Sequence, residues 1–444
     1  MSDRKFIGNH MLIQWHDLVE DGRKLPACDA PFRDRAVLVS RIGLSVLRTG
    51  TSAWRVREAM SKCSAALNMI CHVNIGLVSL DITFIDEETC EIFSQSLSLP
   101  TTGVNTHRLW LMFRYLNEFR YRTQDATIHE LHEMLDEIDD TPAQYSAFKA
   151  GLASAFACAA FTFLLGGGII EMCCAFAGAG LGNWLKNALG RRGITLVGTI
   201  IPSVALAGTG YVILVEILMQ LLGISGVHES GYICSMLFVI PGFPLITGGI
   251  DLFKLDMRSG LERGMYAILI IVTATLTGWV VAMVSNFHPA DFAPLALTPQ
   301  VKCALRLVAS FVGVYGFSLM FNSTKRMAAT AGCIGMIANT LRLELVDLAG
   351  LHGGPAAFVG ALTAGIIASF IVKKTGFPRI CLTVPSIVIM VPGLYIYRAV
   401  YNLGIDQIGN GALWLTRGVL IILALPLGLV CARLLTQKDF RRVG

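Results

Sequence analysis

Two dipeptides, Pro241-Gly242 and Pro392-Gly393, each interrupt a long apolar run, in "VIPGFPLITGGIDLF" and "IMVPGLYIYRAV". Proline removes an amide donor and clashes with the turn before it, while glycine tolerates unwinding, so carbonyls and amides come free inside a greasy stretch. A zwitterionic amino acid is one partner for such groups. Its carboxylate suits the positive end of a half-helix, and its ammonium suits bare carbonyls or a carboxylate. A kink in a packed helix is the plainer reading of either dipeptide alone, and their matched placement weighs against it. Ionisable residues in the apolar runs are the second set with chemistry to offer. Glu216 closes "GTGYVILVE" and Glu171 follows the triple glycine Gly166, Gly167 and Gly168. Hydrocarbon disfavours a charged carboxylate, so either is a candidate proton carrier. Asp251, one or two turns past Pro244, could meet a substrate or pair with Lys254 or Arg258. Arg342, Glu344 and Asp347 are expected to pair with one another at a helix end.

The elements that position these residues are membrane helices. Hydrophobic residues make up 54% of the 444 and charged ones only 15%, too apolar for an ordinary soluble chain. Up to Tyr145 there are 15 Lys and Arg against 20 Asp and Glu; beyond it 21 basic and 11 acidic residues sit between runs able to cross roughly 30 Å of hydrocarbon. Ten such runs can be drawn, near 147–166, 168–185, 194–218, 231–250, 260–284, 301–321, 327–346, 354–372, 380–400 and 412–432. Alternate connections hold 16 of the 21 basic residues, including Lys186, Arg191, Arg192, Lys325, Arg326, Lys373, Lys374 and Arg442. The other set holds five: Lys302, Arg306, Arg342, Arg398 and Arg417. The positive-inside bias then puts both termini in the cytoplasm and requires an even number of crossings. Ten divides into five and five, with a Pro-Gly in the fourth run of each half. Because five is odd, the second half enters from the opposite side, which is the inverted repeat of alternating-access transporters.

The expected organisation is a tail over 1–31, a soluble α+β cytosolic domain over 32–145, five-helix membrane repeats over 146–285 and 300–434, and a basic tail over 435–444. The first twenty residues scatter charge through what would be a signal peptide's apolar core, so the N-terminus reads as uncleaved and cytosolic. In the soluble domain, apolar spacing at Val37, Leu38, Ile42 and Val46 predicts a helix, ended near Gly50, with a second running to Met69. Alternation at Val78, Leu80, Ile82 and Phe84 predicts a strand that turns at "DEE" and returns through "TCEIFSQSLSL". Two more helices follow, the last opened by a Thr127 to Glu130 capping box and stopped by Pro142. His129 and His132 stand three apart on it, a metal-binding spacing, but with no third placed ligand a solvated face is the stronger reading. Twelve dispersed cysteines without a C-x-x-C pair read as free thiols. The positive excess behind the net charge of +5 lies in the membrane half, where orientation explains it, so no nucleic-acid partner is implied.

The stretches "LRTGTSAWRVREAMSKCSAALNM", "VNTHRLWLMFRYLNE", "FTFLLGGGIIEMCCAFAGAG", "IPGFPLITGGIDLFKLDMRSGLERG" and "VPSIVIMVPGLYIYRAV" together resemble the threonine/serine exporter family over nearly the whole chain. The resemblance singles out Pro241, Gly242, Pro244, Asp251, Arg263, Pro385, Pro392, Gly393 and Tyr397, and carries an aspartate where this chain has Glu171. It implies proton-driven export of small hydroxy amino acids through the inner membrane, with no cofactor, and leaves homo-oligomerisation open. Similar two-subunit relatives look like dicarboxylate exporters, so succinate is the alternative substrate. An intramembrane enzyme would need a nucleophile and base or metal ligands within the bilayer, and the sequence has no H-E-x-x-H. A sensor with a membrane anchor would need far fewer crossings.

Overall fold

The computed structural model describes residues 13–19, 25–223, 228–287, 292 and 295–441. Positions 1–12 and 20–24 of the expected N-terminal tail, and 442–444 of the basic tail with Arg442, lie outside the described residues. The chain divides into two compact units, 1–142 with 254–262, and 143–253 with 263–444.

In the first unit α1 (Phe32–Arg48) and α2 (Ala53–Ala66) pack closely because Gly43 leaves room for Met60; a Cβ there would come within 3.0 Å of the Met60 Cγ. The expected apolar positions Val37, Leu38, Ile42 and Val46 are all buried. Gly50, at φ +79°, ends the connection in a conformation that glycine adopts without strain. Three antiparallel strands follow in the order β1-β2-β3: β1 (Met69–Ile75), β2 (Ser79–Asp86) and β3 (Ile92–Ser98). The alternation that predicts β2 is realised with Leu80, Ile82 and Phe84 buried, and Phe84 faces Phe93 across the β2–β3 pair. β1 was not expected. Its burial alternates: Met69 and Ile75 are buried and Cys71 and Val73 pack part-buried against the core, while Ile70, His72 and Asn74 are exposed. After α3 (Thr106–Arg122), α4 (Ile128–Asp139) opens with the full Thr127–Glu130 capping box and buries Ile128, Leu131 and Leu135. Residues 254–262 belong to this unit through side-chain pairs: Arg57 with Asp256 at 2.5 Å, Arg258 with Asp81 at 2.6 Å, and Glu262 accepting from the Leu77 amide at 2.6 Å.

The second unit is helical: α5 (Ala147–Leu164), α6 (Ile169–Gly190), α7 (Leu196–Leu222), a 3-10 segment over Glu229–Val239, α8 (Gly242–Phe253), α9 (Met257–Val284), whose first turns belong to the other unit, α10 (Pro299–Met320), α11 (Lys325–Asp347), α12 (Gly353–Thr375), α13 (Arg379–Val388), α14 (Gly393–Gly404) and α15 (Ile408–Thr436). Six of these, α5, α7, α9, α10, α12 and α15, are each long and apolar enough to cross a membrane. Two further spans arise if each bent pair counts as one: the 3-10 segment with α8, bent by 65°, and α13 with α14, bent by 49°. This is a polytopic helical membrane protein. α6 and α11, at 22 and 23 residues, have the length but are diluted by small and charged residues such as Glu171, Lys186, Arg342 and Glu344.

Candidate functional site

The two bends fall at the two Pro-Gly dipeptides, and they are built alike. The Gly242 amide donates to the Ile240 carbonyl at 2.8 Å, and the Gly393 amide donates to Val391 at 2.9 Å, a tight reversal about each proline. One turn on, Leu245 N donates to Pro241 O and Ile396 N to Pro392 O, both at 3.1 Å, starting α8 and α14. The breaks also meet. A Cβ added to Gly242 would overlap Val388 and press Val391 at 3.2 Å, whereas one added to Gly393 would overlap Ile240 and press Leu237 at 3.0 Å. Glycine is needed at both because each backbone is the seat of the other bend's side chains.

Beside the second break lies a cavity of about 460 Å³, a volume that suits a small metabolite. Its walls include Met390, Val391, Pro392, Gly393 and Tyr395, and four cations, Lys302, Arg306, Arg342 and Arg398, against one carboxylate, Asp347. The expected pairing of Arg342 with Glu344 and Asp347 is not what forms. Arg306 holds Glu344 at 2.9 Å and Asp347 at 2.6 Å, and Lys302 holds Asp347 at 2.7 Å. These are contacts between α10 and α11, where a partner on the neighbouring helix outcompetes one along the same helix. Arg398 lies 4.8 Å from the Trp414 ring centroid. Tyr397, buried one turn into α14, lines a separate cavity of about 30 Å³, and its hydroxyl has no hydrogen-bond partner among the described residues.

Asp251 and Arg263 are both buried, with Arg263 Nε 3.2 Å from Asp251 Oδ2. Of the partners considered from sequence, Arg258 is engaged with Asp81 and Glu262, and Lys254 lies over the Trp54 ring. Pro244 is half-buried in the first turn of α8.

The triple glycine ends α5 and opens α6. Gly166, at φ +107°, donates to Phe163 O and Gly167 donates to Thr162 O, a Schellman cap, and the Gly168 amide donates to Glu171 Oε2 at 2.9 Å. The other Glu171 oxygen is 2.6 Å from His228 Nδ1, and the Tyr211 hydroxyl donates to the His228 carbonyl. Sequence reading missed His228, which stands 57 residues away in a connection with no periodic signal. Glu216 is exposed on α7.

In the first unit His132 is fully buried against Arg41, with Arg41 Nη1 3.1 Å from His132 Nδ1, while His129 sits beside His16. Arg41 also pairs with Asp136. Burial first, and then the Arg41 charge, push the His132 imidazole down to about 3. Among the described residues no three His, Cys, Asp or Glu side chains are arranged to hold a metal ion.

A family model for threonine/serine exporters matches residues 37–285, and a second, "Threonine/Serine exporter, ThrE", matches 306–435. The chain is 23% identical to a "Probable threonine/serine exporter" of Mycobacterium tuberculosis over 90% of its own length and 76% of the relative's. It is 25% identical to "Probable succinate transporter subunit YjjP" of Escherichia coli, over 56% of this chain and 95% of that one, and 24% identical to the protein of the same name from Klebsiella aerogenes. No solved structure matches. With models covering both halves, and the more specific motifs falling on the two bends and the glycine cap, the chain belongs to the threonine/serine exporter family.

Proposed function

We propose that the chain is a secondary active exporter of L-threonine and L-serine across the cytoplasmic (inner) membrane, driven by the proton gradient, and that its two Pro-Gly bends are halves of one alternately accessed site. The observation that carries this reading is the reciprocal seating of the bends beside a cavity of about 460 Å³. Ten crossings, as a five-and-five inverted repeat, are supported by spacing. α8 and α14 are both 12 residues long and begin 151 residues apart, as do α9 and α15. The α5–α6 turn also has a twin: Asn322, at φ +62°, donates to Leu319 O and Ser323 donates to Ser318 O, the same cap as Gly166 and Gly167. Counting α6 and α11 as crossings completes the ten and leaves both termini cytoplasmic.

In this reading Pro241, Gly242, Pro244, Asp251, Pro392, Gly393 and Tyr397 surround the substrate path. The half-helix ends of α13 and α14 offer carbonyls to an ammonium and amides to a carboxylate. Glu171 is the preferred proton carrier over the exposed Glu216, because its carboxylate is buried against an imidazole. The soluble domain over 32–145 has a scaffolding or regulatory role.

Dicarboxylate export is the second reading, favoured by the cation excess in the cavity and by the printed names of two relatives. Counterflow separates the two. Proteoliposomes loaded with unlabelled threonine, serine or succinate should accumulate the matching labelled solute for the amino acids only. Accumulation of succinate alone moves the chain to the second reading, and accumulation of none removes both.

A further inference from the structure

We propose that Arg342 is the guanidinium that receives the carboxylate of the transported solute, an inference that rests on the exporter reading and deepens it. Of the four cations facing the cavity, three are already engaged. Lys302 and Arg306 are clasped by Asp347 and Glu344, and Arg398 lies against Trp414. Arg342 makes no hydrogen bond or ion pair among the described residues, and its Nε is buried without a partner. The residue is half-buried, its Nε withdrawn from water with nothing to bind, and an anion entering the cavity can meet the fork that carries that nitrogen.

The placement is built rather than incidental. Arg342 lies on α11 where Gly360 of α12 approaches it; a Cβ at Gly360 would come within 3.2 Å of Arg342 Cβ. The side chain therefore lines the same cavity as Pro392 and Gly393. The planar fork of arginine matches the two oxygens of a carboxylate, which a lysine at this place would meet only as a point charge. The class recognised is a small carboxylate. The α-carboxylate of threonine or serine and one end of succinate share that chemistry, and for succinate the second end must displace Asp347 from Lys302 or Arg306.

The test uses the full chain, wild type, Arg342→Gln and Arg342→Lys, with two readouts. Counterflow gives KM and maximal rate for threonine, serine and succinate; thermal shift in detergent gives binding of the same solutes and of threoninol, which lacks the carboxylate. Loss of a bidentate charged partner is expected to raise KM about tenfold or more in Arg342→Gln, with a smaller change in maximal rate. Arg342→Lys should fall between, and the preference of the wild type for threonine over threoninol should vanish in Arg342→Gln. If Arg342→Gln does not fold, a raised KM in Arg342→Lys supports the proposal. A folded variant with the wild-type KM overturns it while the exporter reading stands. Carboxylate binding that depends on Arg342 in a protein that transports none of the three overturns the exporter reading and keeps the site. Neither binding nor transport overturns both.

Discussion

Gly242 rests against Val388 and Val391, which stand five and two residues before Gly393, and Gly393 rests against Leu237 and Ile240, which stand five and two residues before Gly242. Two surfaces that each present the same two positions to the other's glycine are related by a local two-fold. Such a contact couples the bends, since neither can straighten without moving the residues seated in the other.

Gly242→Ala and Gly393→Ala should therefore each destabilise the protein, by about 1–3 kcal/mol, the usual cost of overpacking. Relief should be specific, Val388→Ala restoring Gly242→Ala and Ile240→Ala restoring Gly393→Ala. A double-mutant cycle on thermal stability checks this, and purely additive effects would remove the reciprocal contact from the account.

Asp251→Asn should abolish transport and lower stability, because it takes the carboxylate from a buried pair with Arg263; breaking such pairs costs about 3–5 kcal/mol. Arg263→Ala should lose a similar amount. Fluorescence-detected size exclusion after heating measures both. Asp251→Asn with full transport and an unchanged melting temperature would exclude the residue from site and core alike.

The local devices were legible in the sequence. The α4 capping box, the buried stripe of α1, the alternation of β2 and the two Pro-Gly interruptions depend on residues a few positions apart, and each is found where periodicity or turn chemistry puts it. What stayed hidden depends on long-range partners. Asp251 with Arg263, Arg306 in place of Arg342 as the partner of Glu344, and His228 beside Glu171 are choices among similar charges that only packing decides. β1 was missed although Met69, Cys71, Val73 and Ile75 alternate inward, because only two residues separate it from α2 and the apolar Ile70 on its open face blurs the pattern.

Acid should loosen the first unit through His132. Its folded value of about 3 lies below the ordinary 6.5, so between those values the unfolded chain holds a proton that the folded chain does not. Stability then falls as pH drops from 6.5 towards 3, by up to about 1.4 kcal/mol per pH unit. Hydrogen exchange on the full chain, corrected for intrinsic rates, should show α1 and α4 losing protection at pH 5 relative to pH 7. The loss should shrink in His132→Asn. Equal losses in variant and wild type would assign the acid sensitivity elsewhere.

Glu171→Gln should flatten the pH dependence of export while leaving threonine exchange running, and Glu216→Gln should leave both unchanged, since only Glu171 is buried against an imidazole. Efflux measured across a range of external pH decides it. A flattened profile in Glu216→Gln with a normal one in Glu171→Gln would reverse the assignment.

The most direct test of alternating access is two-sided reactivity at the cavity. With the twelve native cysteines replaced, Leu394→Cys places one thiol on the wall beside Gly393. A membrane-impermeant maleimide should label it from either face of sealed vesicles, and saturating threonine should change the two rates in opposite directions. Labelling from one face only, at a rate that threonine does not alter, would contradict a site shared by two coupled bends.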